Sequence, residues 1–388
     1  MESFGVRVPT VIFGSGKRRE LPALLQGMGT RAFFSLDPYL SQNGTGDETA
    51  AMLKEAGIDT VTYTGIDPDP DCFGVDEAAE VARDESCDMV IAAGGGSAID
   101  FGKGVAVIAK NPGTCWSYTR RRDHTPNTPG PDTLPVIALP STAGTGSEMT
   151  HYAVFTNPKL REKSTIVHDR IVPRIAVIDP ELTFSCPPKL TALTGVDVLA
   201  HAIEAYVNIN ASPFAKMVAI EAIRLCARFL PASVANGTNR EARERMAWAS
   251  ALAGIAIAHS NPTLPHAIGQ AAGGFVHAPH GASVACCLVE IMRISYHADL
   301  DKYSEIASAL DPSTRSLPLY EHAEASSSLA GRLLQDIGVD VRFSQFGLSE
   351  KDIDKVADIA MTGYFTGISL HPKQVDKEEI IKILRACL

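Results

Sequence analysis

The sequence predicts an α/β domain built on a parallel sheet, followed by an all-α domain, and three observations carry that reading. Its 388 residues exceed what one ordinary core organises, since domains run to about 100–200 residues. The first half alternates short β-rich runs with helical stretches, an order that lays strands in parallel with helices crossing over them. From Pro187 onward, Ala- and Leu-rich segments take over, with apolar residues at helical spacing.

In chain order, strands are expected at RAFFSL (31–36), DTVTYT (59–64), DMVIAA (88–93), LPVIAL (134–139) and RIAVID (174–179). Each is short, apolar and rich in residues that favour a pleated surface. Gly14-Ser15-Gly16 reads as a turn, and Pro112 to Pro131, with its basic cluster Arg120-Arg121-Arg122, as a solvated loop. Helices are expected over Leu190–Asn208, Pro213–Leu230 and Arg240–His259. Between the halves lies DPELTFSCPP, whose prolines block helix continuation at both ends. The boundary is set there, giving domains 1–183 and 184–388.

Composition narrows the function classes. Apolar residues make up 45% and charged residues 21%, as in a folded globular chain, and no stretch approaches the ~18 uninterrupted apolar residues of a membrane span. The first ten residues, MESFGVRVPT, lack the features of a secretory or transit peptide, so a cytoplasmic location is expected. A formal charge of −10 argues against nucleic acid and acidic lipid as partners. The eight cysteines contain no CxxC pair and read as reduced packing residues.

DMVIAAGGGSAIDFGKG places an apolar strand, Gly94-Gly95-Gly96-Ser97 and a helix in succession. Such a turn lets the backbone approach a pyrophosphate at the free N–H groups of a helix start. Ser97 and Asp100 read as an N-cap and its partner three residues on. A tight strand-to-helix turn explains the glycines equally well, and the spacing is not GxGxxG. A second loop, LPSTAGTGSE (139–148), also follows a strand and carries Ser141, Thr142 and Thr145. Asp37 closes the RAFFSL run. A carboxylate there accepts hydrogen bonds from a ribose diol and repels a 2′-phosphate, although Asp before Pro also commonly begins a turn.

TGVDVLAHAIEAY sets Asp197 and His201 four apart, on one helical face. PHAIGQAAGGFVHAPHG offers His266, His277 and His280. One carboxylate with up to three imidazoles suits Fe(II), Zn(II), Co(II) or Mn(II). Pairing of Asp197 with a neutral partner is the alternative.

Taken in this order, GGGSAIDFGKG, PSTAGTGSE, DPELTFSCPPKLTALTGVDVLAHAIEAY and PHAIGQAAGGFVHAPHG resemble the iron-dependent (group III) alcohol dehydrogenases, a family that includes lactaldehyde and propanediol oxidoreductases. The closing HPKQVDKEEIIKILRA resembles the family's last helix. The resemblance implies the dehydroquinate synthase-like architecture: a Rossmann-like NAD-binding domain, then a helical metal-binding domain. It implies NAD and Fe2+, with Zn2+ as the other ion, a small alcohol or aldehyde as substrate, and a homodimer.

By the same resemblance Asp197, His201, His266 and His280 fall on the metal ligands. Asp37, Gly95, Gly96, Ser97, Ser141, Thr142, Thr145 and Lys163 fall on cofactor positions, with Asp100 counted among the cofactor-binding residues as the partner of Ser97, and Thr150, Tyr152 and Val154 fall where the chain passes nicotinamide and substrate. Members of the family usually carry a histidine four residues after the ligand matching His266; here it is Gln270, which accepts and donates hydrogen bonds but takes up no proton near neutrality. His277, where the family usually has none, is either the group that compensates or a surface or supporting histidine away from the reaction, and Tyr152, Gln270 and His277 are the catalytic candidates. AHSNPTLPH, with His259, replaces a smaller run. The rivals are a related enzyme acting on another polyol or hydroxy acid, a polyol-phosphate dehydrogenase or a dehydroquinate-type synthase. Phosphate or carboxylate substrates call for basic residues, in which the helical motifs are poor. A silent NAD- or metal-binding relative is the other alternative.

Overall fold

The computed structural model describes residues 3–121, 124–160 and 162–388 and divides them into two compact units. Arg122 of the basic cluster lies outside the described residues.

The α/β unit comprises residues 7–142 and 146–184. Its main sheet holds β1 (Thr10–Phe13), β2 (Arg31–Leu36), β3 (Asp59–Tyr63), β4 (Met89–Gly94), β6 (Val136–Pro140) and β9 (Ile175–Ile178). A three-stranded sheet holds β5 (Thr119–Arg120), β7 (Tyr152–Asn157) and β8 (Glu162–Val167). All five expected strands form, each within two residues of its expected bounds. β1 and the antiparallel hairpin β7–β8 were not expected. The basic stretch is not wholly a loop either, because β5 pairs with β8 and Arg121 stacks on Trp116 at 5.0 Å.

The main sheet is parallel throughout, in the order β1-β9-β6-β4-β2-β3. Its middle strands are covered on both faces, which is why they read as continuous apolar runs; every residue of β4 is buried. Phe33, Phe34, Ile91 and Ile137 are fully inaccessible, and each such side chain contributes about 1.5–3 kcal/mol by leaving water. From β2 the chain moves outward to β3 and then returns to β4 on β2's other side. The carboxyl ends of β2 and β4 therefore flank the topological switch point, where open α/β sheets bind ligands.

The helices of this unit are α1 (Leu21–Leu24), α2 (Pro38–Gln42), α3 (Thr45–Glu55), α4 (Cys72–Asp84) and α5 (Gly96–Ile108). Edge strand β1 is held across the chain by Asp179, whose carboxylate accepts from Gly16 N at 2.9 Å and Arg18 N at 3.0 Å. The turn expected at 14–16 is present, with Gly14 and Gly16 at positive φ.

The helical unit contains residues 185–388, the short 143–145 stretch and the N-terminal residues up to Val6. Its helices are α6 (Pro188–Val207), α7 (Pro213–Ala235), α8 (Arg240–Ala258), α9 (Leu264–Val276), α10 (His280–Ser295), α11 (Leu300–Leu310), α12 (Leu319–Asp336), α13 (Ile353–Gly363), α14 (Phe365–Ser369) and α15 (Lys377–Ala386). α6 is apolar all round because α7, α8 and α10 surround it. Its 20 residues have the length and composition of a membrane span, yet most of the helix is buried inside the unit. Gly195 lets α7 approach α6, since a Cβ there would collide with the Leu230 side chain.

Candidate metal centre and cofactor loops

α6 sets Asp197 and His201 on one face, and the starts of α9 and α10 bring His266 and His280 to them. One donor atom from each of the four lies within 4.8 Å of the others. The Nε2 atoms of His266, His280 and His201 stand 3.3, 3.4 and 3.8 Å from Asp197 Oδ1. The His201 and His266 rings stack, with centroids 4.3 Å apart. Asp197, His201 and His266 are buried, whereas the His280 side chain is 32% exposed and marks the open side of the cluster.

These groups do not satisfy one another. Asp197 Oδ1 and His266 Nε2, which face one another across the cluster, are buried with no hydrogen-bond partner, a costly arrangement for polar atoms. Four donors at about 2.1 Å around one tetrahedral ion would lie about 3.4 Å apart, and the three measured separations bracket that value. The donor set fits a divalent cation.

Electrostatics agree. Burial pushes Asp197 up, but His201 and His280 beside it hold its carboxyl well below the usual range. Burial pushes His201 down to about 4. For His266 burial works against charge, yet Glu204 and Asp197 outweigh it and raise the imidazole to about 10. Without a cation, a proton on His266 therefore neutralises part of the acid pair.

Glu204 is the residue that sequence reasoning missed. It is fully buried on α6, and its Oε1 lies 2.5 Å from His266 Nδ1. The signal was present: a carboxylate in VLAHAIEAYV, three residues past His201, is as costly to bury unpaired as Asp197.

At the switch point, Gly94 has φ +151°, and a Cβ there would meet Asp37 Cβ and Ala98 Cβ at 2.6 Å. Gly102 allows α5 onto the sheet, where a Cβ would stand 2.8 Å from Ala92 Cβ. The capping expectation fails. Gly95 occupies the N-cap of α5, so Gly96 and Ser97 lie inside the first turn. Ser97 Oγ instead accepts from Asp69 N at 3.3 Å. With no side chain capping the helix, its leading amides are left to another acceptor. Thr142 lies alongside, its Oγ1 3.5 Å from where a Gly95 Cβ would be, and Ser141 N donates to Gly94 O. Thr145 groups with the helical unit. Asp37 does begin a turn, capping α2 through Tyr39 N at 2.9 Å, and it stands at the end of β2 beside Gly94.

Asp100 accepts from Ser147 Oγ, and from Val154 N at 2.9 Å. One turn on, the buried Lys103 reaches five oxygens of the same 147–152 strap: Ser147 O and Oγ, Thr150 O and Oγ1, and Tyr152 O, at 2.7–3.2 Å. The strap leads into β7, where Tyr152 and Val154 share the half-buried face with Thr156, opposite Lys163. Lys163 pairs with Asp69 at 2.8 Å. Gln270 lies half-buried one turn beyond His266. His277 is not brought into the cluster; it is exposed and caps α9 in the left-handed conformation, φ 56°. His259 Nδ1 lies 2.7 Å from Ile255 O, and its ring meets Phe214 edge-on.

Comparison with known proteins joins these features. The profile of "Iron-containing alcohol dehydrogenase" matches residues 9–180, and that of "Fe-containing alcohol dehydrogenase family, C-terminal" matches 191–388. The 1,3-propanediol dehydrogenase of Citrobacter freundii is 37% identical, covering 92% of this chain and 91% of its own. The NAD-dependent methanol dehydrogenase of Bacillus methanolicus is 32% identical over 98% of both. A crystal structure of a 1,3-propanediol oxidoreductase superposes with TM-score 0.93 at 34% identity, covering 100% of both chains. With both halves matched in order, the chain belongs to the iron-containing alcohol dehydrogenase family and is an alcohol oxidoreductase.

Proposed function

We propose that this protein is a metal-dependent NAD(H) alcohol dehydrogenase that reversibly interconverts a small primary alcohol or diol with its aldehyde. Asp197, His201, His266 and His280 hold the divalent ion, iron by family, with zinc the other ion these donors accept. The observation that carries this reading is the convergence of three Nε2 atoms on one Asp197 oxygen, with buried polar atoms left unpaired. The names of the relatives, 1,3-propanediol dehydrogenase and NAD-dependent methanol dehydrogenase, support a short alcohol and NAD.

When bound, the ion supplies Lewis-acid polarisation of the substrate oxygen, and the nicotinamide supplies the hydride acceptor or donor. The chain's own residues bind and orient. The uncapped start of α5, at Gly95, Gly96 and Ser97, receives the pyrophosphate, with Ser141, Thr142 and Thr145 completing the loops around the dinucleotide. Asp37 takes the ribose diol and selects against a 2′-phosphate. Asp100 acts indirectly, by fastening the strap that carries Thr150, Tyr152 and Val154. Lys163 stands on the same hairpin face as Tyr152 and Val154. Burial raises the Tyr152 phenol, so it stays neutral and serves as a hydrogen-bond donor. Gln270 orients through its amide. His277, exposed at the end of α9 and outside the four donors, is the candidate for proton exchange with solvent.

The test is NADH oxidation against short aldehydes and hydroxyaldehydes, by protein loaded anaerobically with Fe(II) and by metal-stripped protein. Turnover should require metal, and Asp197→Ala should lose both bound metal and turnover while keeping its circular dichroism. Full activity in the metal-free protein would overturn the assignment.

A further inference from the structure

Glu204 occupies an unusual position. Its Oε2 accepts from Thr263 N at 2.6 Å and His266 N at 3.2 Å, and its Oε1 faces His266 Nδ1 at 2.5 Å. Thr263 is the N-cap of α9 and His266 lies in its first turn. A side chain of α6 therefore caps α9 and grips the imidazole at the same time. The positive end of a helix stabilises a carboxylate, which accounts for a charge at this depth. Behind it, Thr263 Oγ1 lies 3.2 Å from His371 Nδ1, and His371 Nε2 lies 2.9 Å from Ser295 Oγ, all of them buried. This support runs through Thr263's backbone N–H on one side and its hydroxyl on the other. It braces Glu204 but is not a continuous proton path.

We infer that Glu204 is a positioning residue: it fixes His266 as the Nδ1–H tautomer and sets its ring rotation, so that the Nε2 lone pair faces Asp197 and the ion. The inference rests on the metal-centre reading above. A carboxylate offers acceptors only, so the ring nitrogen facing it must carry the proton. Glutamine breaks this logic whichever way it turns. With its oxygen on the α9 amides, its NH2 faces Nδ1 and forces the proton onto Nε2. With its oxygen on Nδ1, its NH2 meets two N–H donors.

The experiment measures Zn(II) affinity by chelator competition for the wild type, Glu204→Gln and Glu204→Asp, alongside the melting temperature of each metal-free protein. In parallel, the zinc-loaded wild type labelled with [15N]histidine is examined by long-range 1H–15N correlation. Expected are a protonated Nδ1 on His266 in the wild type, and about 10–100-fold weaker zinc binding in Glu204→Gln. Glu204→Asp, which keeps the carboxylate, should recover part of that loss. The spectrum needs no variant, so a Glu204→Gln protein that does not fold leaves the tautomer test in force. A wild type whose His266 carries its proton on Nε2, or a Glu204→Gln protein binding zinc within about threefold of wild type, overturns the inference alone. A wild type that does not bind zinc at one equivalent overturns the metal reading, and the inference with it.

Discussion

Replacing Lys103 by Met isolates the fastening of the strap that carries Thr150 and Tyr152. The ammonium has three protons and five oxygens within 3.2 Å, three of them main-chain carbonyls. Burial costs the charge dearly, lowering its pKa from 10.5 to about 8, a fall worth about 3 kcal/mol. Against that, three charge-assisted hydrogen bonds contribute about 1.5–3 kcal/mol each. Methionine removes the burial cost but leaves three carbonyls without a donor at about 1–3 kcal/mol apiece, so the net loss at neutral pH is on the order of 3 kcal/mol. The pH dependence has a definite sign. Below about pH 8 the side chain is charged folded and unfolded, and the burial cost is carried in full. Between about 8 and 10.5 the unfolded chain keeps a proton that the folded chain has released, so the wild type gains about 1.4 kcal/mol per pH unit relative to the variant. Trp116 and Trp248 are the two tryptophans. In a Trp248→Phe background, Trp116 fluorescence reports urea unfolding of the α/β unit, at pH 7 and pH 9.5. A Lys103→Met protein with unchanged stability, and a difference that does not grow above pH 8, would refute the reading. The loosened strap should also weaken NADH binding, measured by fluorescence titration.

Two further outcomes are expected. Asp37→Gly should raise the NADP-to-NAD ratio of kcat/KM on the order of tenfold or more by removing a repelling charge, while the lost helix cap costs only a few tenths of a kcal/mol; an unchanged ratio would remove Asp37 from ribose recognition. Burial holds His371 at about 3, so as pH falls from 6.5 toward 4 the unfolded chain gains a proton that the folded chain does not. The stability advantage of wild type over His371→Asn should shrink by about 3 kcal/mol across that range, read as the difference between their urea midpoints; a constant difference would contradict a neutral buried ring.

How much of this was legible depended on whether the controlling contact was local. The apolar runs of β2, β4 and β6 announce themselves because both faces of a central parallel strand are buried. The hairpin does not: in Tyr152–Asn157 burial alternates, but Tyr-Ala-Val-Phe-Thr-Asn does not alternate in polarity. β1 is four residues at an edge, partly exposed, with no periodicity to read. At the metal cluster, the four-residue spacing of Asp197 and His201 is visible in the chain, whereas the approach of His266 and His280 depends on how α9 and α10 begin. Ser97 and Asp100 had the spacing of a cap pair, yet Gly95 takes the cap and Asp100 turns to Ser147 and Val154, partners about fifty residues away that no local pattern discloses. Glu204 and Lys103 did leave a trace, since a lone charge in an apolar helix has to be met by something.

The clasp between Asp179 and the β1 turn also bears on synthesis. Gly16 and Asp179 are 163 positions apart, and among the described residues β1 pairs only with β9, which ends at Ile178. At roughly 5–20 residues per second the ribosome needs about 10–30 s to deliver that partner. Throughout that interval the nascent α/β unit has an open flank: β9 is missing from between β1 and β6, and TVIF has nothing to pair with. The last strand made is the one that closes the sheet, so until β9 arrives β1 is an unpaired edge of the kind that pairs with other chains.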